Sequence, residues 1–273
     1  MAYADLHLHS NHSDGAQSPA RVVERARKAT MSAMALTDHD TVSGVAEARE
    51  TAAQLDLPFL EGVEISTRFD KTEVHILGLG VDIENGQLLE KLSVLQSARN
   101  TRVDRIAEKL AEEGIRIDPA KVLARTAGVA AGRMHVAAEL QAQGKVQSLQ
   151  EGFDRFLNYG GAGYVPKEVM AIDEAIDCIH AAGGLAFVAH PGLSKNLRRI
   201  LPALLEFPFD GIEAYHISHS PGRTHEFMAI AQERGVLICG GSDCHGGVKG
   251  TIEMGKVRMP LHHFETIWTR LGR

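Results

Sequence analysis

The sequence predicts an α/β fold on a parallel sheet or barrel, and three observations predict it. Short β-rich runs alternate with helical stretches, the order such sheets require. Nearly every run carries a metal-capable side chain at or just past its C-terminal end. At 273 residues the chain suffices for one large unit, since barrels of this kind take about 250 residues.

In order along the chain, the candidate strands are "ADLHLH" (4–9), "SAMALTD" (32–38), "FLEGVEI" (59–65), "EVHILGL" (73–79), "LAFVAH" (185–190), "GIEAY" (211–215) and "VLICGGSD" (236–243). The helix after the first, "PARVVERARKA", opens with Ser18 as N-cap and Pro19 at the first helical position, where a missing N–H costs nothing. "VAEARETAAQL" follows the second strand, and "IDEAIDCIHAAGG" precedes the fifth with a Gly-Gly stop. His7 and His9 lie two apart, so an extended backbone points both the same way and turns Leu6 and Leu8 to the other layer.

Apolar residues make up 44% and charged residues 23% of the chain, a globular composition. A net charge of -6 offers no general attraction to long duplex nucleic acid, while small anions and short oligonucleotides stay open as ligands. No apolar run reaches the length of a membrane helix, and "MAYADLHLHS" lacks the basic start and apolar stretch of a secretion signal, so a cytoplasmic location is expected. Three cysteines, Cys178, Cys239 and Cys244, show no C-x-x-C spacing and read as reduced thiols. Oligomeric state is not legible.

The strongest local signal is "DLHLHSNHSDG", three histidines and two aspartates in eleven residues. A lone strand histidine is usually a packed one. Here the pattern repeats: His39 follows the second strand, Glu64 ends the third, the fourth offers His75, the fifth ends in "AHPG" with His190, and the seventh leads to Asp243 and His245. In a parallel barrel these ends converge on one face.

"DLHLHSNHSDG", "LTDHDT", "GVEIS", "HILGLG", "AHPG" and "GSDCHG", in this order, resemble the polymerase and histidinol phosphatase (PHP) family of metal-dependent phosphoesterases. The resemblance spans nearly the whole chain. It implies a distorted seven-stranded, TIM-like (β/α) barrel with two or three divalent ions. Carried over by position, it implies one ion on His7, His9, Glu64 and Asp243, a second on Asp14, His39 and His245, and a third on Glu64, His75 and His190. The hard oxygen ligand Asp14 leans toward Mn²⁺, with Fe²⁺ or Zn²⁺ as alternatives. Asp5 and Asp38 are expected to orient ligands, His12 to be a loop residue, and Cys244 to pack.

About one hundred residues separate the fourth and fifth strands, far beyond a crossover's need. Amphipathic stretches there predict an inserted α-helical cap at 98–166, between barrel parts 1–97 and 167–273. Arg102 and Arg133 are its candidate phosphate contacts, since a guanidinium offers a planar fork of donors. Arg133 and His135 stand in "GRMH", at a Gly-led helix start that favours anions, and the segment resembles one in the subgroup acting on nucleoside bisphosphates and short RNA. Beyond the barrel strands, "SKNLRR" offers Lys195 and "YHISHS" offers His216 and His219. Lys195 is a candidate second-phosphate contact, and His219 a candidate contact or proton donor.

The expected reaction is hydrolysis of a phosphate monoester by metal-activated water. A "GxSxG" elbow and a Walker loop are absent, which disfavours acyl transfer and nucleotide-triphosphate motors. Removal of the 3'-phosphate from 3',5'-nucleoside bisphosphates is the first expectation. A 5'-3' exoribonuclease on short RNA, a histidinol phosphate phosphatase and a non-catalytic binding module are the alternatives.

Overall fold

The computed structural model describes residues 2–126, 131–247 and 254–273. Its barrel part runs β1 (Tyr3–Asp5), α1 (Pro19–Lys28), β2 (Ala33–Leu36), α2 (Val45–Gln54), β3 (Phe59–Phe69) and β4 (Thr72–Leu79). The insertion follows, with α3 (Gly86–Glu112), α4 (Pro119–Leu123), α5 (Arg133–Ala142) and α6 (Leu149–Gly152), the last running into one wide π turn at Phe153–Leu157. The chain then returns through α7 (Ile172–Ala181), β5 (Leu185–Val188), α8 (Lys195–Leu204), β6 (Gly211–His216), α9 (Pro221–Arg234), β7 (Leu237–Gly241), β8 (Met259–Pro260) and α10 (Leu261–Arg270). None of the described helices is long and apolar enough to cross a membrane.

The local signals hold where they were strongest. Ser18 Oγ accepts from Arg21 N at the head of α1, Pro19 opens that helix, and Gly183 follows α7 at φ +73°. Hydrogen-bonded order in the sheet is β7-β6-β5-β4-β3-β2-β1-β8. The two ends meet because Leu6 N donates to Gly240 O (3.0 Å), Asp243 N to His7 O (3.0 Å) and His9 N to Cys244 O (3.1 Å). That closure needs a bare backbone at Gly241, where a Cβ would lie 2.4 Å from His7 N.

Two expectations about the strands are corrected. The sheet is not all parallel: β4 runs antiparallel to both β3 and β5. β3 extends to Phe69 and turns back through Asp70 and Lys71, with Asp70 at φ +51°, a left-handed position that Asp tolerates in tight hairpins. An eighth strand, β8, adds two residues antiparallel to β1, too short for its pattern to stand out.

Leu6 and Leu8 part company rather than sharing one layer. Leu6 joins a small core with Ala33, Leu60, Leu77 and Phe187, closed by Phe264 and Ile267 of α10. Leu8 joins the larger core with Val22 of α1 and Val45 of α2. The insertion has a third core of its own, around Val103, Ile106, Leu110, Val136, Leu140 and Leu157. α3 serves two cores, giving Leu88, Leu92 and Leu95 to the larger one and Val103 onward to the third. The expected division at 97/98 therefore falls inside an unbroken helix.

Candidate metal centre

The eight side chains read from the strands, and Asp14 from the family resemblance, come together at one mouth of the barrel, gathered around Glu64. Its Oε2 lies 3.3 Å from His7 Nε2, 3.4 Å from His9 Nε2 and 2.9 Å from His39 Nδ1. Its other oxygen, Oε1, lies 2.8 Å from His75 Nδ1 and 3.0 Å from His190 Nε2. Asp243 Oδ1 stands 3.0 Å from His9 Nε2 and 3.6 Å from His7 Nε2, while Asp14 Oδ1 stands 3.1 Å from His245 Nε2. His75 reaches the cluster because β4 is reversed, so that the early part of that strand lies beside the end of β3.

Two of the six non-glycine residues recorded at positive φ stand here. His190 (φ +30°) and Asp243 (φ +51°) sit where L-residues rarely do, and such positions cost on the order of 1–3 kcal/mol each. Glu213, buried on β6, restrains the first of them: Oε2 accepts from His190 N at 2.6 Å, and Oε1 accepts from His7 Nδ1 at 2.9 Å. Burial pushes the His7 imidazole down, but Glu213, Glu64 and Asp243 outweigh it and hold the ring well above the usual imidazole range, so that with Nδ1 donating to Glu213 it is Nε2 that faces the carboxylate oxygens of Glu64 and Asp243. That pull of buried carboxylates on positive charge is one a divalent cation would meet in place of the proton.

Other buried atoms make the same demand. Among the described residues, His7 Nε2, both ring nitrogens of His9, Asp14 Oδ1, His39 Nδ1, Glu64 Oε2 and His190 Nδ1 have no hydrogen-bond partner, although buried polar groups are nearly always paired. Burial pushes the imidazoles of His9, His39 and His190 down, toward the neutral form that ligates. Burial pushes the Glu64 carboxyl up, but His39, His7 and His75 outweigh it and hold the group well below the usual carboxylate range. Asp14 and Asp243 are held low in the same way by His245 and His7 respectively. The donor atoms of His9, Asp14, His39 and His245 lie within 4.8 Å of one another, as do those of His7, His9 and Asp243 and those of His39, Glu64 and His75. Imidazole and carboxylate donors in this number suit divalent ions, and the cluster fits them.

The flanking aspartates act one step further out than expected. Asp5 accepts from Ser242 N (2.9 Å) and Ser242 Oγ (2.6 Å), and Asp38 from Ser10 N (2.7 Å) and Ser10 Oγ (2.6 Å). They brace the loops that carry ligands and touch no ligand ring. His12 bonds Ser43 Oγ at 2.7 Å in its loop, and Cys244 is buried against Leu8.

A hollow opens from Asp14, His39 and His75 toward the insertion, where Arg99, Arg102, Arg133 and Lys167 line it. Arg102 is buried and anchored by Nε and Nη2 on Val165 O (2.9 and 2.7 Å); burial, then Arg133 and Arg99, push its guanidinium down to about 10. Arg133 opens α5 and reaches Leu157 O with Nη1 at 3.3 Å. The motif reading missed Arg99 and Lys167. Arg99 pairs with Asp40, and Lys167 donates to Ser66 Oγ (2.5 Å) and to Glu73 Oε1 (2.9 Å), whose same oxygen meets His75 Nε2 at 3.2 Å. Their spacing of dozens of residues left no local pattern to find them by.

Three further candidates are placed elsewhere. His135 spends Nδ1 accepting from Gly132 N (3.1 Å) as a helix cap and does not line the hollow. His219 has both nitrogens committed, Nδ1 to Ala214 O (2.8 Å) and Nε2 to Gly192 N (3.0 Å). Burial pushes it down to about 4, so it is a neutral strut for the "AHPG" loop rather than a proton donor. Lys195 lines a separate cleft with Arg198, Arg199 and Arg223. His216 takes the place expected of its neighbour: Nδ1 accepts from Ser218 N at 3.1 Å, and Nε2 lies buried 3.6 Å from Asp243 Oδ2.

A closed barrel with a buried cluster of histidines and carboxylates at its mouth is the build of a metal-dependent hydrolase, and known proteins specify which. The PHP domain profile matches residues 5–161. The chain is 37% identical to the 5'-3' exoribonuclease Rnm of Escherichia coli over 88% of this chain and 84% of that one. It is 34% identical to the 3',5'-nucleoside bisphosphate phosphatase of Chromobacterium violaceum over 99% and 97%. A crystal structure from Bifidobacterium adolescentis, described as a metal-dependent phosphoesterase, superposes with a TM-score of 0.89 at 29% identity, covering 100% of this chain and 99% of the other. This protein is a metal-dependent phosphoesterase, a hydrolase. It belongs to the PHP family.

Proposed function

We propose that the protein removes the 3'-phosphate from 3',5'-nucleoside bisphosphates. The observation that carries this reading is that one hollow joins Asp14, His39 and His75 of the centre to Arg99, Arg102, Arg133 and Lys167. A substrate with one phosphate at the centre then keeps a second phosphate among guanidinium and ammonium donors, which favour phosphate oxygens.

In this reading His7, His9, Glu64 and Asp243 hold one ion, Asp14, His39 and His245 a second, and Glu64, His75 and His190 a third. The two faces of Glu64 support the sharing, since Oε2 meets His7 and His9 while Oε1 meets His75 and His190. Bound divalent ions, Mn²⁺ by preference given the hard oxygen of Asp14, supply Lewis acidity and a water acidic enough to attack near neutral pH. Glu213 keeps His7 turned toward the centre and holds the strained His190 backbone in place. Met134 and Phe153, which also line the hollow, offer apolar surface to a base. The segment 98–166 acts as the substrate-binding cap, contributing Arg99, Arg102 and Arg133, and the reaction belongs to the cytoplasm.

A second reading, 5'-3' exoribonuclease on short RNA, is favoured by the likeness to the Escherichia coli enzyme and by the same hollow, which would receive a 5'-terminal phosphate. The deciding experiment offers Mn²⁺-loaded protein adenosine 3',5'-bisphosphate, AMP, histidinol phosphate and a 5'-phosphorylated RNA. Phosphate release from the bisphosphate with AMP as product is expected. Release only from histidinol phosphate, or from none of the four with metal bound, overturns the proposal.

A further inference from the structure

The cleft that holds Lys195 is not part of the hollow beneath the insertion. The hollow draws on the loops after β1 and β2, on β4 and on the insertion; the cleft lies on the β5 and β6 side of the same mouth, where Ser194, Lys195, Arg198 and Arg199 at the head of α8 face Arg223 from α9. Four cations thus converge in one concavity of a chain whose net charge is -6. Their compensation is slight. Arg198 meets Glu226 at 3.7 Å with both side chains half exposed, and Arg223 Nη1 donates to Gly192 O at 2.8 Å. Lys195 and Arg199 have no ion-pair partner among the described residues. Four like charges with one loosely paired carboxylate, Glu226, between them repel one another, and an arriving polyanion relieves that repulsion.

The cleft is tied to the centre through one short loop. His190 touches Glu64, Leu193 N donates to His190 O at 2.9 Å, and Gly192 is bonded by both His219 and Arg223. Lys195 is five residues from His190, so their Cα atoms are at most about 17 Å apart. The centre is therefore flanked by two cationic concavities. A nucleoside bisphosphate has two phosphates, which the centre and the hollow accommodate, and the cleft is left without an occupant. A chain of nucleotides has phosphates on both sides of the bond at the centre.

Resting on the phosphoesterase reading of the centre, we propose that the Lys195, Arg198, Arg199 and Arg223 cleft is a second phosphate-binding site. It takes the backbone of a single-stranded oligonucleotide on the 3' side of the cleaved bond, with one end of the substrate in the hollow and the remainder running over Gly192 into the cleft. The cleft contributes to long substrates and nothing to mononucleotides.

The test compares a 5'-phosphorylated pentaribonucleotide with adenosine 3',5'-bisphosphate on the full-length, Mn²⁺-loaded protein. Arg199→Glu and Arg198→Glu/Arg199→Glu both change exposed side chains on α8. Reversing one or two phosphate contacts is expected to lower kcat/KM for the pentamer by about tenfold or more and to flatten its salt dependence, with bisphosphate hydrolysis unchanged. Anisotropy of a fluorescent pentamer in EDTA reads binding without catalysis and should weaken in parallel. Equal losses on both substrates, or no change in pentamer binding, overturn the proposal. So does a wild-type protein that hydrolyses the bisphosphate but neither binds nor cleaves the pentamer. Absence of metal-dependent hydrolysis on either substrate instead refutes the reading of the centre, and the anisotropy arm still decides the cleft.

Discussion

At the barrel mouth, His7 Nε2, both nitrogens of His9 and Glu64 Oε2 are buried with no hydrogen-bond partner among the described residues. In the insertion, by contrast, basic side chains are partnered, Arg102, Lys109 and Arg133 on the carbonyl oxygens of Val165, Tyr164 and Leu157, and Arg99, Arg125 and Arg155 on the carboxylates of Asp40, Glu139 and Glu151. The mouth also places His190 and Asp243 at positive φ, whereas the positive φ values recorded for 98–166 belong to glycines. The lesson is one of division of labour. The mouth is incomplete without cations and spends folding energy on holding that incompleteness in shape. The insertion packs its own core, partners its basic side chains within itself or, for Arg99, on Asp40 of the barrel, and presents spare donor capacity to the hollow.

Variants at the mouth should have the strongest consequences for turnover. Asp14→Ala and His190→Ala are each expected to lower it by more than about 10²-fold, beyond the loss typical of residues that merely support a ligand. Bound metal should fall with it, while the melting temperature in EDTA does not drop. A large drop in EDTA would mean that these side chains are satisfied internally, and the contrast with the insertion would fail. Next comes Glu213→Ala, which frees the His7 ring and the His190 backbone and should weaken metal binding about 10- to 100-fold in a competition titration. Unchanged affinity would show that packing alone orients His7.

On the insertion side, Arg133→Ala is expected to raise KM for the bisphosphate by about tenfold, or about 1.4 kcal/mol, with kcat nearly kept. If the ratio of bisphosphate to monophosphate activity stayed the same, Arg133 would have no phosphate to hold. The least effect on chemistry is expected from Leu110→Ala. Removing this buried side chain should cost about 2–5 kcal/mol of stability in the third core, read by denaturant melting, and leave metal content at the mouth untouched. Metal loss in this variant would show that the two regions fold as one.

Most contributors to the centre were legible because they stand at or just past strand ends, which are written locally by apolar runs that stop at Gly, Asp or His, whereas His75 lies in the early part of β4 and Asp14 in the loop after β1. The direction of β4 was written less clearly. "FDKT" between two β-rich runs is a two-residue hairpin, and Asp at its left-handed position was the available clue. Glu213 sat in a quoted strand without standing out, because a lone strand carboxylate has no pattern. Its importance lies in the ring nitrogen it meets, which belongs to a residue 206 positions away. Arg99 and Lys167 were passed over for the same reason, each reading as one more basic residue on a helix or loop.

The chain alone thus specified its class, its alternation of strands and helices, its inserted helical segment and the nine side chains of the mouth. The alternation and the insertion depend on period, spacing and composition, which neighbours in sequence carry; the full set of nine came with the resemblance of the ordered motifs to a known family. Only the folded arrangement assigned donors to acceptors: it turned His7 through Glu213, retired His219 to Gly192 and Ala214, and separated the cleft of Lys195 from the hollow of Arg133. A ring nitrogen's role follows from what lies within about 3 Å of it, and closure of the barrel brings those partners from hundreds of residues away.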